Sequence, residues 1–176
     1  VFPYKKIDPE KTFVFISKQG WIKQTRMTEF EPWRTYKSRP LSGMKLKSED
    51  DELVAVYLED GQTGLDVFLV THQGMGLRYP LQEVPVVGTK AAGVKSINLK
   101  EEDIVVNGLL VIAEGDTPIV IVTQRGAVKR MLAQEISQTS RAKRGVTVLR
   151  ELKKNPHRII YMSEGKSKEM TVINQK

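Results

Sequence analysis

The stretch "FISKQGWIKQT" (15–25) reads as a β-hairpin: an apolar run, a polar turn closed by Gly20, and a returning strand that carries Lys23, with Arg26 just beyond. Closely similar phrases return as "FLVTHQGMGLR" (68–78) and "VIVTQRGAVKR" (120–130). The runs TFVFIS, DVFLVT and PIVIVT are short, β-branched and aromatic, the composition of strands. The turn glycine supplies the positive φ that a tight hairpin or its bulge needs. Near-continuous apolar runs predict strands buried on both faces. The returning stretches WIKQTR and GLRYPL alternate more, as an outer strand would.

The repetition extends past the hairpin. Gly20, Gly74 and Gly126 lie 54 and 52 residues apart. Ten residues after each stands an apolar residue, Phe30, Val84 or Ile136, preceded by Glu29, Glu83 or Glu135. A second glycine follows in a basic context: Gly43 in SRPLSGMKLK, Gly93 in GTKAAGVKSI, Gly145 in SRAKRGVTVL. A further strand then closes each unit: ELVAVYL (52–58), DIVVNGLLVIA (103–113), HRIIYM (157–162). Four features in the same order make internal repetition specific. The units run over about 11–63, 64–116 and 117–167 of a single domain, 1–176, and EMTVINQK (169–176) starts the phrase again, the beginning of a fourth unit at 168–176. Four strands per unit of this length is the spacing of a propeller blade. The predicted class is all-β, a propeller-like repeat of four-stranded blades, and three repeats fit a closed ring as well as an open or incomplete one. Helix signals are weak, with one turn expected in MLAQEIS (131–137).

The chain has 176 residues and no cysteine, so one domain with its own core is expected, without disulfides or thiolate metal sites. No apolar run approaches the roughly 18 residues that span a membrane, and VFPYKKIDPEK lacks the apolar core of a signal peptide. The first residue is not methionine, as in a fragment. Net charge is +7, and the charges segregate. Residues 11–47 hold nine Lys or Arg and two acids, 48–60 six acids and no base, 124–154 nine bases and two acids. Such blocks predict a basic face and an acidic one.

The basic residues recur at equivalent places. The hairpins carry Lys23 and Arg26, Arg78, and Arg125, Lys129 and Arg130. The second-glycine loops add Arg39, Lys45 and Lys47, then Lys90 and Lys95, then Arg141, Lys143 and Arg144. In a radial repeat equivalent positions share a side, so these fourteen residues predict a continuous basic perimeter for double-stranded DNA. A curved rim favours a bent duplex. Plainer readings stand beside this one. The turn glycines answer to geometry, edge lysines guard against aggregation, and the second glycines serve either packing or close approach of phosphate. Glu49-Asp50-Asp51-Glu52 and Glu101-Glu102-Asp103 read as solvated turns. His72 and His157 lack a second ligand at useful spacing, no phosphate-binding glycine loop is present, and no tyrosine is marked as a nucleophile. Trp21 and Trp33 read as packing residues, Trp33 lying among bases. An interaction propeller that docks a partner on its acidic 48–60 segment, or an enzyme with a central polar cluster, are the rival classes.

The hairpin T-x-x-G-x-x-K-R, the loops RAKRGV and KAAGVKSINL, and the period near 52 resemble the C-terminal domain of type IIA topoisomerase A subunits over essentially the whole chain. The resemblance implies a β-pinwheel whose basic perimeter binds and bends DNA. The loops SRPLSGMK, TKAAGVK and SRAKRGV lack the full Q-R-R-G-G-K-G box of the gyrase type, a DNA-wrapping domain. They are more similar to the topoisomerase IV type (ParC) of Gram-positive bacteria. That implies a non-catalytic domain that tunes which duplex is presented for strand passage, in decatenation and supercoil relaxation. By the same resemblance it has no cofactor, metal or small-molecule substrate of its own. ATP and magnesium belong to other domains, its protein partners are the N-terminal part of ParC and the ParE subunit, no membrane partner is evident, and its place is the bacterial cytoplasm, on the chromosome.

Overall fold

A computed structural model describes residues 6–30 and 41–165. It contains strands β1 (Thr12–Ser17), β2 (Trp21–Arg26), β3 (Leu53–Glu59), β4 (Leu65–Thr71), β5 (Met75–Pro80), β6 (Val94–Lys95), β7 (Val105–Ile112), β8 (Pro118–Thr123), β9 (Val128–Leu132), β10 (Val146–Thr147) and β11 (Ile159–Glu164). Short 3-10 turns at Met27–Phe30, Leu81–Glu83 and Ala133–Glu135 follow the returning strands, the last inside the segment expected to form one turn. Arg39 and Trp33, and the restarted phrase at 169–176, lie outside the described residues.

The strands form three antiparallel sheets, ordered β3-β1-β2-β6, β10-β5-β4-β7 and β11-β8-β9. This all-β arrangement is the expected pinwheel, and among the described residues its sheets do not close into a ring. In the first two sheets the apolar hairpin occupies the middle, and in the third β8 lies between β11 and β9. The later strand of the same unit lies on one side. In the first two sheets a short strand lies on the other side, drawn from a stretch that the sequence presents as loop. β6 belongs to the second unit but pairs with β2 of the first, Lys95 opposite Trp21 and Val94 opposite Ile22. β10 of the third unit pairs with β5 of the second, Val146 opposite Gly76 and Thr147 opposite Met75. The expectation that WIKQTR and GLRYPL are outer strands is therefore corrected. β2 and β5 are almost wholly buried because the next unit covers them.

The second glycines make this exchange possible. Gly93 and Gly145 have φ of +80° and +84°. A Cβ on Gly93 would fall on the carbonyl oxygen of Ile22, and one on Gly145 on that of Gly76. Only a hydrogen lets the incoming strand cross the backbone of the preceding unit at that distance. Gly43 differs: its φ is not in the left-handed region, and it packs on the ring of Phe15.

The core lies between sheets. Alternation along β4 sends Val67 and Leu69 toward Val14, Ile16 and Ile22 of the first sheet. Phe68 and Val70 point the other way, toward Ile119, Ile121 and Ile159 of the third. Both faces are apolar, which accounts for the unbroken hydrophobic runs. Each such side chain contributes roughly 1.5–3 kcal/mol by leaving water. β3, β7 and β11 lie side by side at the edges opposite the exchanged strands. There the Tyr57 hydroxyl donates to the Gly108 carbonyl at 2.6 Å, and Asn107 Nδ2 to the Met162 carbonyl at 2.8 Å. The third sheet has three strands among the described residues, and the outer edge of β9 is uncovered, with Val128 53% exposed.

Candidate nucleic-acid interface

Two of the expected basic contacts turn inward. Lys23 is fully buried, and its Nζ donates to the carbonyls of Gly88 at 2.8 Å and Thr89 at 3.1 Å. Its ammonium also stands 5.4 Å from the centre of the Phe15 ring. Burial lowers its pKa to about 8, against a smaller opposing pull from Glu29. Arg78 is 7% exposed. Its Nη1 pairs with Asp66 at 2.7 Å and its Nε donates to the Ile136 carbonyl at 2.7 Å. Gln138 donates to the other Asp66 oxygen at 2.8 Å, so the carboxylate is shared between two units. Both cations pin a neighbouring unit. Neither presents its charge to solvent.

The remaining described bases stay outside. Arg26, Lys45, Lys47, Lys90, Lys95, Lys143 and Arg144 are exposed. Lys47 Nζ sits 3.4 Å from the centre of the Trp21 ring, which fixes the ammonium over an aromatic face. Arg141 is half-buried; its Nη1 donates to the Lys95 carbonyl at 2.7 Å and its Nε to the Glu83 carbonyl at 3.2 Å. Its backbone N–H donates to the Glu83 carboxylate at 2.6 Å. On the third hairpin Arg125 donates to the Asn155 carbonyl at 2.9 Å, Lys129 to the Val148 carbonyl at 2.6 Å, and Arg130 is exposed.

The second-glycine loops are joined one to the next. The Lys45 N–H donates to the Ala91 carbonyl at 3.2 Å, linking the first loop to the second. The Ala142 N–H donates to the Ser96 carbonyl at 2.9 Å, and the Asn98 N–H to the Lys143 carbonyl at 2.8 Å, linking the second to the third. Lys45, Lys90, Lys95, Lys143 and Arg144 thus sit on one continuous chain of loops along the sheet edges that carry β6 and β10. Arg150, Lys153 and Lys154 extend the exposed bases beyond β10, and no repeated motif in the sequence marks them. Their only signal there is the charge block 124–154, which counts them without placing them.

The acids have a local task. Asp51 Oδ1 accepts from the backbone N–H groups of Gln19 and Glu52, and Asp103 Oδ1 from those of Gln73 and Ile104, all at 2.9 Å. Each holds a hairpin turn to the strand that closes its unit. His72 Nδ1 lies 2.9 Å from the Ile159 carbonyl oxygen, and His157 Nδ1 lies 3.0 Å from the Thr123 hydroxyl. Among the described residues no group of three metal-ligating side chains comes together, and no helix is long and apolar enough to cross a membrane.

Comparison with known proteins follows the same division. The family model of the DNA gyrase C-terminal domain, beta-propeller, matches residues 11–58, 65–112 and 117–163. The chain belongs to this family. Within the family it is similar to the topoisomerase IV type. The A subunit of DNA topoisomerase 4 from Bacillus subtilis (strain 168) is 49% identical over 158 residues, covering 90% of this chain and 19% of that protein. Its counterpart from Streptococcus pneumoniae is 45% identical over 157 residues, covering 88% and 18%. The chain thus spans about a fifth of the length of these relatives. A crystal structure of the C-terminal domain of DNA topoisomerase IV, 44% identical, superposes with a TM-score of 0.86 over 94% of this chain and 49% of that one. The DNA gyrase A C-terminal domain, at 15% identity and a TM-score of 0.50 over 92% of this chain and 68% of that one, shares the fold.

Proposed function

We propose that this gyrase-family domain binds double-stranded DNA along its outer loop edge, bends it, and so helps to select the duplex that a topoisomerase IV passes. The joined second-glycine loops are the observation that carries this reading. They hold Lys45, Lys90, Lys95, Lys143 and Arg144 in series, with Lys47 in the first of these loops, Arg26 exposed at the end of β2 and Arg150, Lys153 and Lys154 beyond β10. A duplex carries one charge every ~1.7 Å of axis, so a row of cations neutralises several phosphates and releases their counterions. Loops of this kind position the backbone without reading bases. Lys23 and Arg78 are left out of the contact set because their charges are engaged by internal carbonyls and Asp66. Arg141 acts as a brace that joins two loops.

The parent enzyme would supply the cleavage tyrosine, magnesium, ATP site and ParE partner on other domains, and this domain needs no cofactor of its own. The test is binding to a duplex of about 40 base pairs across a salt series, with a fluorescence readout of the end-to-end distance. Affinity that falls steeply with salt, together with a shortened duplex, supports the reading. Binding without shortening removes the bending role. No binding at low salt removes the rim.

A further inference from the structure

The two interfaces between successive units share a backbone and differ in chemistry. Counted from the turn glycines, Ser137, Thr139, Lys143 and Arg144 of the third unit stand where the second has Pro85, Val87, Ala91 and Ala92. Four side chains that can donate hydrogen bonds replace four that cannot. The backbone around them is the same. Thr139 N–H donates to the Arg78 carbonyl at 2.9 Å, as Val87 N–H does to that of Gln24 at 2.8 Å. Val148 N–H donates to the Gly74 carbonyl at 2.9 Å, as Ser96 N–H does to that of Gly20 at 2.7 Å. The interior changes in the opposite sense. At the first interface the Lys23 ammonium rises from β2 to the loop carbonyls of Gly88 and Thr89. At the second, Leu77 holds the position of Lys23 and sends no charge into the loop.

The residues of the second interface line an open cleft of about 160 Å³. Gly76, Leu77 and Ile136 form its buried floor, and Ser137, Thr139, Lys143 and Arg144 are exposed along its walls. No acidic side chain lines it. The Ser137 hydroxyl and both cations make no hydrogen bond or ion pair among the described residues, and the Thr139 hydroxyl makes one long bond, to the Arg78 carbonyl at 3.4 Å. An ammonium, a guanidinium and two hydroxyls facing one space suit an oxyanion, which accepts from all of them. At ~30 Å³ per water, the cleft has the room of about five waters, enough for one phosphate group. The exposed bases of the first interface do not reproduce this grouping. Lys90 and Lys95 stand at the positions of Ala142 and Thr147, which do not line the cleft.

We propose that the cleft between the second and third units is a seat for one phosphate group, supplied by the backbone of a bound duplex. Lys143 and Arg144 neutralise the seated phosphate and its neighbour on the strand, while Ser137 and Thr139 donate to the first. The rim therefore grips unevenly: the duplex is fixed at the second interface and lies more loosely over the first. This deepens the reading of the domain as a duplex binder and rests on it. A free phosphate shares the same chemistry, so the test separates the two sources.

The experiment uses the 176-residue chain with three separate substitutions, Ser137→Leu, Ser137→Ala and Pro85→Leu. Both positions are exposed, so none of the three should change the melting temperature. The first readout is affinity for a duplex of about 40 base pairs across a salt series. Ser137→Leu fills the cleft without altering charge. It should weaken binding about tenfold and lower the slope of log affinity against log salt by about 0.9, one phosphate contact. Ser137→Ala removes one donor and should weaken binding about threefold at an unchanged slope. Pro85→Leu, at the same place on the first interface, should change neither. Unaltered affinity and slope in Ser137→Leu would overturn the proposal, as would an equal loss in Pro85→Leu. The second readout is a titration with inorganic phosphate, followed by the amide resonances of Ser137 and Gly145. These should shift in the unsubstituted chain, stay put in Ser137→Leu, and move back when duplex is added. If the chain binds no duplex, the DNA reading fails by itself. A saturating phosphate shift would then keep the seat and make a free phosphate its occupant, and the absence of a shift would remove the seat as well.

Discussion

At the scale of the residue, charge alone does not announce where a cation goes. Lys23 and Lys45 look alike in sequence, each near a glycine in a basic stretch, and one is buried while the other is exposed. The difference comes from carbonyls of Gly88 and Thr89, sixty-odd residues away, which no local pattern displays. Burial has a measurable consequence at Lys23. Its pKa falls from 10.5 to about 8, so between those values the unfolded chain holds a proton that the folded chain has released. Stability must therefore rise with pH through that window, and the burden of the buried charge is fully present below it. The melting temperature of the unsubstituted chain, minus that of Lys23→Met, should increase between pH 8 and 10; a flat difference would show that the lysine titrates normally. Arg78 makes the complementary case. Asp66→Ala would strand its guanidinium inside, at a cost of about 3–5 kcal/mol in a denaturant titration. Replacing the pair together, as Asp66→Leu with Arg78→Met, should recover much of that loss.

At the scale of the element, the long strands were legible because their apolar runs and turn glycines are local signals. TFVFIS and PIVIVT match β1 and β8 residue for residue. β6 and β10 were not, since two residues carry no periodicity and their pairing partners lie some seventy residues earlier. What the sequence did show was a glycine recurring in each loop, without showing that it marks a strand crossing. Gly145→Ala tests that assignment. It adds a methyl group against the Gly76 carbonyl at a φ of +84°, and should destabilise by at least about 2 kcal/mol. Exchange should quicken first at Met75 and Gly76, the residues that β10 covers. An unaffected β5 edge would mean that the crossing tolerates a side chain.

At the scale of the whole molecule, the period near 52 residues was enough to predict an all-β radial repeat, because equivalent residues separated by a constant length must recur in equivalent places. The direction of the basic loops was legible for the same reason. Which bases remain free was not, since that depends on contacts between units. Lys143 and Arg144 are the cleanest probes of the rim: both are exposed, and their side chains make no hydrogen bond or ion pair among the described residues. Lys143→Ala with Arg144→Ala should lower the slope of log affinity against log salt by about 1.8, at 0.9 per phosphate contact, with the melting temperature unchanged. A slope that stays put would take both residues off the duplex.

The exchange of edge strands also gives the array a polarity. A unit lends its outermost strand to the unit before it and receives one from the unit after it. Melting the third unit strips β10 from the second and opens β5 to water, whereas melting the first strips no strand from the second. Loss of order should therefore spread toward the N-terminus more readily than away from it. In a solenoid whose repeats touch only through their faces, the two directions would be closer to equivalent. Here cooperativity runs one way along the chain.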